Sequence, residues 1–143
     1  MNIFTEKLKE AISYTSLFFK AENEYTVELM QKKPYKIQDL INPSKELQIA
    51  AIQTDPSVIQ FITNPSEKIQ LLAITINPST IRYIPNPTKD VQLTAVKINP
   101  SIIQHIKEPS KDIILAAIER DFSVIKHIPN PSEELQLIAI RKN

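Results

Sequence analysis

The sequence predicts an all-α fold, an α-solenoid (superhelix) in which short helical repeats stack side by side. The triplet Asn-Pro-Ser, or a close variant of it, returns every 22 residues, at positions 42–44, 64–66, 86–88, 108–110 and 130–132. A fixed period of this length is typical of stacked supersecondary units that bury one continuous core. All 11 prolines follow the same period and glycine is absent, so proline must build the turns.

Each repeat carries the start signals of two helices. In the repeat from Asn64 to Pro85, Asn64 and Pro65 are predicted to be the N-cap and first residue of a long helix of about 12 residues. Asn77 and Pro78 open a short helix of about seven residues, α-helical or partly 3₁₀. The short helix ends before the next Asn-Pro, because a residue that precedes proline is pushed out of helical geometry. The predicted N-caps of the short helices are Asp55, Asn77, Asn99 and Asp121.

Apolar side chains recur at fixed positions of the repeat and predict the core. On the long helix they are Leu47, Ile69, Val91, Ile113 and Leu135; Ile49, Leu71, Leu93, Leu115 and Leu137; and Ile52, Ile74, Val96, Ile118 and Ile140. On the short helix they are Ile59, Ile81, Ile103 and Ile125, and Ile62, Ile84, Ile106 and Ile128. One repeat buries too little apolar surface to fold alone, so the stack is the folding unit.

Two further positions of the long helix carry specific expectations. The first is always alanine and predicts close approach of neighbouring helices; its members are Ala51, Ala73, Ala95, Ala117 and Ala139. The second is glutamine in all repeats but one; its members are Gln48, Gln70, Gln92 and Gln136, with Ile114 as the exception. An amide inside an apolar face needs hydrogen-bond partners. We therefore expect a glutamine ladder that bonds the backbone of the neighbouring repeat.

The period also sets the predicted organisation of the chain. Residues 1–19 fall outside the period and are expected to form an N-terminal capping helix, while residues 20–143 form the helical repeat array. The array comprises a degenerate first repeat at 20–41, repeats at 42–63, 64–85, 86–107 and 108–129, and a half repeat at 130–143.

The half repeat is expected to leave an apolar helix end, which favours a partner. Leu135, Leu137 and Ile140 are expected to pack backward on the preceding repeat, while Ile138 is exposed. A homodimer through the C-terminal helix (Leu137, Ile138) is one explanation of this end. Loss of a capping helix by truncation, leaving a monomer, is the other.

Composition excludes several function classes. The net charge is +1, and the 17 basic and 16 acidic residues are intermixed, which argues against a general nucleic-acid binder. Without cysteine there is no thiolate site, and without glycine there is no phosphate-binding loop. Stacked helices place the two histidines, His105 and His127, about 10 Å apart, too far to share one zinc ion. We expect a cytoplasmic protein with no catalytic residues, no metal, no cofactor and no membrane contact.

The outer face of the short helices is the candidate binding site. It reads Gln60, Phe61, Arg82, Tyr83, Gln104, His105, Lys126 and His127, an aromatic and imidazole ladder beside amide and basic groups. Such a stripe suits a peptide, a polyphosphate-like ligand or stacked bases. The competing interpretation is that these side chains only cover the neighbouring repeat. None of these eight residues is acidic.

The strings Asn-Pro-Ser-Glu-Lys-Ile-Gln-Leu-Leu-Ala-Ile from Asn64 to Ile74, and Asn-Pro-Ser-Thr-Ile-Arg-Tyr-Ile from Asn77 to Ile84, resemble the leucine-rich repeat variant family. The resemblance implies a right-handed, HEAT-like superhelix of alternating α and 3₁₀ helices, and it implies no activity. Similar strings occur in uncharacterised bacterial and bacteriophage repeat proteins. The period of 22 is slightly shorter than that of the family, and no cysteines are present for a cluster-bearing domain.

Three function classes follow. A non-enzymatic protein-binding module comes first, an adaptor or inhibitor that includes phage-encoded or host-directed modulators. A nucleotide or nucleic-acid binder that uses Arg82, Tyr83, Lys126 and His127 comes second, and a strong salt dependence would mark it. An enzyme comes last, because no acid, base and nucleophile converge in the sequence.

Overall fold

A computed structural model describes residues 25–142, and these residues form an all-α repeat solenoid. The α-helices are α1 (Val27–Lys32), α2 (Lys45–Thr54), α3 (Glu67–Ile76), α4 (Lys89–Ile98), α5 (Lys111–Arg120) and α6 (Glu133–Lys142). The 3₁₀ helices are η1 (Pro34–Asp39), η2 (Pro56–Phe61), η3 (Pro78–Tyr83), η4 (Pro100–His105) and η5 (Phe122–His127). Each helix packs on its neighbours in the chain and on the equivalent helix of the next repeat. The predicted capping helix at 1–19 lies outside the described residues.

The long helices begin two residues later than the sequence predicted. In the repeat that starts at Asn64, the N-cap is Ser66 with extended backbone, and α3 begins at Glu67 and has 10 residues. The equivalent Ser44 and Thr88 accept a hydrogen bond from the backbone N–H three residues on. Asn64 as N-cap was therefore wrong. The physical reason is that Asn64 has left-handed backbone, whereas an N-cap residue such as Ser66 is extended. At Ser44 and Thr88 the hydroxyl also satisfies an orphan N–H of the first turn, while Ser66 forms no side-chain cap bond.

Asn64 has a different task, which is to turn the chain. It has a φ of 51°, and Glu108 and Asn130 at the same repeat position have φ of 52° and 50°. The left-handed region normally favours glycine, which this chain lacks. Asparagine tolerates that region because its short side chain bonds locally, whereas a glutamate there is strained.

We expect Glu108→Asn to raise the free energy of unfolding by about 0.5–1 kcal/mol, part of the roughly 1–2 kcal/mol cost of a left-handed residue. Urea denaturation measures the change. Glu119→Asn, on an exposed position of α5, is the control and should lower stability by a few tenths of a kcal/mol. Equal effects of the two substitutions would show that residue 108 carries no strain.

The short helices follow the sequence prediction closely, and they are 3₁₀ over their whole length of six residues. Asp55, Asn77, Asn99 and Asp121 are their N-caps. Each side-chain oxygen accepts a hydrogen bond of 2.9–3.1 Å from the N–H of the serine two residues on. This local bond fixes the entry of each short helix and thereby aims its outer face.

The core is a single apolar column that runs through the repeats. All five predicted alanines are buried, and Ala51, Ala73, Ala95 and Ala117 have no exposed surface. The isoleucines of the short helices are buried as predicted, apart from the half-buried Ile125. The position of Leu71 was wrongly assigned to the core. Its members are half-buried or, as for Ile49, exposed, because this position lies at the edge of the helix interface.

The glutamine ladder exists, but its partner differs from the prediction. Gln48, Gln70, Gln92 and Gln136 each donate their Nε2 to the carbonyl oxygen of the proline five residues earlier, at 2.7–3.0 Å. The bond therefore closes the turn within one repeat, and the predicted bond to the neighbouring repeat was wrong. The physical reason is that this carbonyl lies ahead of the helix, where no backbone N–H reaches it. Among the described residues, buried Gln70 Oε1 has no partner.

We expect Ala95→Leu to lower the free energy of unfolding by about 1–3 kcal/mol, because added methyl groups overpack a fully buried position between two long helices. The urea midpoint at constant slope measures this loss. Lys97→Leu, on the exposed side of the same helix, is the matched control and should leave the midpoint nearly unchanged. An unchanged midpoint for Ala95→Leu would contradict the role of the alanine column in setting the distance between repeats.

Candidate functional site

The short-helix stripe lies on the outer side of the 3₁₀ helices, opposite their buried isoleucines. We define it by the predicted residues Gln60, Phe61, Arg82, Tyr83, Gln104, His105, Lys126 and His127. Six of them are exposed, whereas Tyr83 and His127 are half-buried. Tyr83 packs against the core, so the interpretation as covering side chains is correct for this residue.

Three clefts follow the stripe, at the junctions between the repeats 42–63, 64–85, 86–107 and 108–129. The first has a volume of about 430 Å³ and is lined by residues that include Gln60, Ile62, Asn64, Tyr83 and Asn86. The second has about 470 Å³ and includes Arg82, Ile84, Asn86, His105, Lys107 and Glu108. The third has about 560 Å³ and includes Gln104, Ile106, Glu108, Lys126 and His127.

The clefts are copies of one another. The lining residues Gln60, Arg82 and Gln104 occupy one repeat position, and Tyr83, His105 and His127 occupy another. Because these positions recur every 22 residues, the three clefts follow one another along the solenoid. Sequence reasoning found the walls of the clefts but missed the loop residues at their rims, Asn64, Asn86, Lys107 and Glu108. Their place just before the repeated proline was the signal that could have identified them.

Charge differs from cleft to cleft. No Asp, Glu, Lys, Arg or His belongs to the lining of the first cleft. The Arg82 guanidinium, at the second cleft, stacks over the ring of Tyr83 at 4.9 Å from its centroid. Within residues 25–142, Arg82, Lys107 and Lys126 form no ion pair. Their charges are therefore not neutralised by an ion pair within these residues.

Acids lie beside the stripe, although none of its eight residues is acidic. Glu108 lines both the second and the third cleft. The pKa of Asp121 is lowered, first by its hydrogen bonds with Ser123 and then by the positive charges of Lys126 and His127. The Asp121 carboxylate therefore offsets part of the positive field around the third cleft, whereas the second cleft keeps an excess of positive groups.

The two histidines line different clefts, His105 the second and His127 the third. Among residues 25–142, no group of three or more His, Cys, Asp and Glu side chains could hold a metal ion. What the described arrangement can do chemically is bind: it offers amides, stacked aromatic surface and cations along one line.

A second surface lies where α6 meets η5, at an apolar cavity of about 190 Å³ that is lined by Phe122, Ile125, Gln136, Ala139 and Ile140. We call it the terminal face. Ile140 is 70% exposed, although the equivalent Ile52, Ile74, Val96 and Ile118 are completely buried. This repeat position therefore faces forward, toward a following repeat.

Three sequence predictions for α6 change with this finding. Leu135 is buried as expected, but Ile140 and Leu137, which is 46% exposed, do not pack backward. Ile138 was predicted to be exposed and is instead half-buried against the core. The period identifies which side chains are apolar, but it does not tell which of the two neighbouring repeats each one contacts.

The fold defines the class of the protein, the all-α repeat solenoids. No family model, curated protein or solved structure matches the chain. Within residues 25–142 no helix is both long and apolar enough to cross a membrane.

Proposed function

We propose that the chain is a non-enzymatic protein-binding module, an adaptor or inhibitor, that holds a segment of another protein along the short-helix stripe. One observation carries the proposal: three clefts of the same construction follow one another on one side of the solenoid. A row of equivalent sites suits a linear partner, since each repeat contacts one part of it. Phage-encoded and host-directed modulators fall within this class.

The chemistry of the stripe supports a protein partner. Tyrosine and arginine are enriched among the residues that dominate the energy of protein interfaces. Arg82 and Tyr83 are stacked, so the guanidinium is partly ordered before a ligand arrives and loses less entropy on binding. The amides of Gln60 and Gln104 can pair with the peptide backbone of a partner. We also propose that the protein is cytoplasmic and that it uses no cofactor.

Nucleotide or nucleic-acid binding is the second candidate. The observation that favours it is the set of cations without ion pairs, Arg82, Lys107 and Lys126, beside an aromatic ring that could stack on a base. Against it stand the carboxylates of Glu108 and Asp121, which repel a polyanion along the same line. The protein partner is therefore the better supported candidate.

We expect that replacing Arg82, Tyr83, His105 and Lys126 with alanine weakens partner capture at least about tenfold, the effect of losing roughly 1.4 kcal/mol of binding energy. Capture from the native cell with mass spectrometry of proteins and nucleotides measures the loss. Because Tyr83 is half-buried, a triple variant that keeps this tyrosine separates binding from stability.

The control for this experiment is a triple alanine variant of Lys97, Glu119 and Arg120, which are exposed on the long helices. It should capture the same partners as the unchanged protein. If the stripe variant also captures them normally, the stripe only covers the neighbouring repeats. Captured nucleic acid, with an affinity that falls steeply with salt, would favour the second candidate.

We also propose that two copies of the chain associate through the terminal face. Ile140 is exposed on this face, and Leu137, three residues earlier on α6, is also exposed. This helix has Glu133 and Glu134 in its first turn and Arg141 and Lys142 in its last. A two-fold axis near Leu137 would pair the helices antiparallel and place Glu133 beside Arg141 of the partner subunit. In this isologous contact the apolar centres of the two α6 helices pack together, and the acidic end of each helix lies beside the basic end of the other.

We expect the protein to be dimeric at micromolar concentration and Leu137→Glu/Ile140→Glu to be monomeric, because two buried carboxylates per copy disrupt an apolar contact. Size-exclusion chromatography with light scattering measures the molar mass. Ile98→Glu replaces an apolar side chain of similar exposure (44%) on another helix and should leave the dimer intact. A monomeric unchanged protein would refute the association, and a dimer that survives both charges would place the contact elsewhere.

A further inference from the structure

Resting on the proposed function, we infer that the partner segment is an extended stretch of polyproline II type, with one acidic side chain in the second cleft and uncharged side chains in the flanking clefts. Three features carry this inference: the spacing of the clefts, the hydrogen-bonding groups at their rims and the distribution of charge among them.

The spacing of the clefts matches the repeat of one backbone conformation. Neighbouring short helices pack side by side, and packed helices lie about 8–10 Å apart. A polyproline II helix rises about 3.1 Å per residue with three residues per turn, so every third side chain returns to the same side after about 9.3 Å. Successive clefts can therefore accept residues i, i+3 and i+6 of one segment. In a β-strand every second side chain returns to the same side after about 6.6 Å, so these side chains do not coincide with successive clefts.

The groups at the rims distinguish an extended segment from an α-helix, whose residues i and i+7 would also lie about 10 Å apart. Asn64, Asn86 and Gln60 present amides at the first cleft. A polyproline II backbone makes no internal hydrogen bonds and can use these amides, whereas a helix has satisfied its own backbone. An amphipathic helix needs a continuous apolar groove, and the polar rims interrupt one here.

The distribution of charge indicates which cleft accepts the acidic side chain of the partner segment. Arg82, His105 and Lys107 line the second cleft against the single carboxylate of Glu108. Neither Arg82 nor Lys107 forms an ion pair within the described part of the chain. A carboxylate entering this cleft gains charge-assisted hydrogen bonds from Arg82, whose guanidinium is held over the ring of Tyr83.

The flanking clefts lack that excess of positive charge. The first has no charged lining residue. In the third, Lys126 and Glu108 both belong to the lining, and the nearby Asp121 carboxylate interacts with both Lys126 and His127. An acid three residues before or after the central one therefore gains little, so the preferred segment carries one acid between uncharged positions.

The test uses the full chain and labelled peptides in fluorescence anisotropy. The reference peptide is Pro-Pro-Gln-Pro-Pro-Glu-Pro-Pro-Gln-Pro-Pro, and its matched forms replace the glutamate with glutamine or with lysine. A fourth peptide keeps the glutamate but replaces the prolines with glycine, which removes the preformed conformation. Arg82→Gln and Lys107→Gln are the test variants, and Lys97→Gln and Arg120→Gln are their controls on the long helices.

We expect the glutamate peptide to bind about tenfold more tightly than the glutamine peptide, the lower end of what a charged hydrogen bond contributes. The lysine and glycine forms should bind more weakly still. In the Arg82→Gln and Lys107→Gln variants the preference for glutamate over glutamine should fall toward one. The two control variants should keep the tenfold preference.

Several outcomes would overturn the inference: no peptide binds, glutamate and glutamine bind equally, lysine is preferred, or the glycine form binds as well as the proline form. Failure here is distinct from failure of the proposed function. Partners captured from the cell that the stripe variant loses would keep the protein-binding function while removing this segment as its ligand. Partners that the stripe variant retains would remove both.

Discussion

The approach of neighbouring long helices at the alanine column is the constraint on which the rest of the solenoid depends. Ala73 and Ala95 have no exposed surface and successive long helices contact each other, so a side chain larger than a methyl group would push its neighbours apart. Alanine occupies this position in every repeat from residue 42 onward, so the same constraint recurs in each of them. The short helices inherit the spacing, since each is joined to its long helix by a capped turn. The spacing of the clefts is therefore set by packing in the core and not by the surface residues alone.

Turns built without glycine are the second consequence of this architecture. Proline fixes φ on the way into the long helix, a hydroxyl side chain caps it, and an amide such as that of Gln92 holds the proline carbonyl. The position before the proline adopts left-handed backbone at Asn64, Glu108 and Asn130. Rigid turns suit a binding surface, because the rims of the clefts are made of these residues and lose little freedom when a ligand is bound.

The sequence predicted most of the fold, because periodicity tells which side chains are internal. The short-helix caps, the alanine column and the buried isoleucines all agree with the structure. The errors at the long-helix caps and in the glutamine ladder share one physical cause, which is the choice between two nearby partners. Asn64 and Ser66 both suit an N-cap, and the amide of Gln70 had carbonyls both within and beyond its own repeat. Period alone cannot decide such choices; local geometry does. For the candidate site, the stripe was predicted but its clefts were not, because their rims come from loops without helical periodicity.

Each repeat exposes its forward-facing isoleucine or valine until the next repeat has been synthesised and covers it. Ile74 and Ile118 are fully buried only because a later repeat lies over them, as the exposure of Ile140 demonstrates. Chains leave the ribosome from the N-terminus, at about 5–20 residues per second. Each repeat therefore waits roughly one to four seconds for the segment that covers it. At each stage of synthesis, the most recently completed repeat therefore exposes an apolar edge that chaperones can bind.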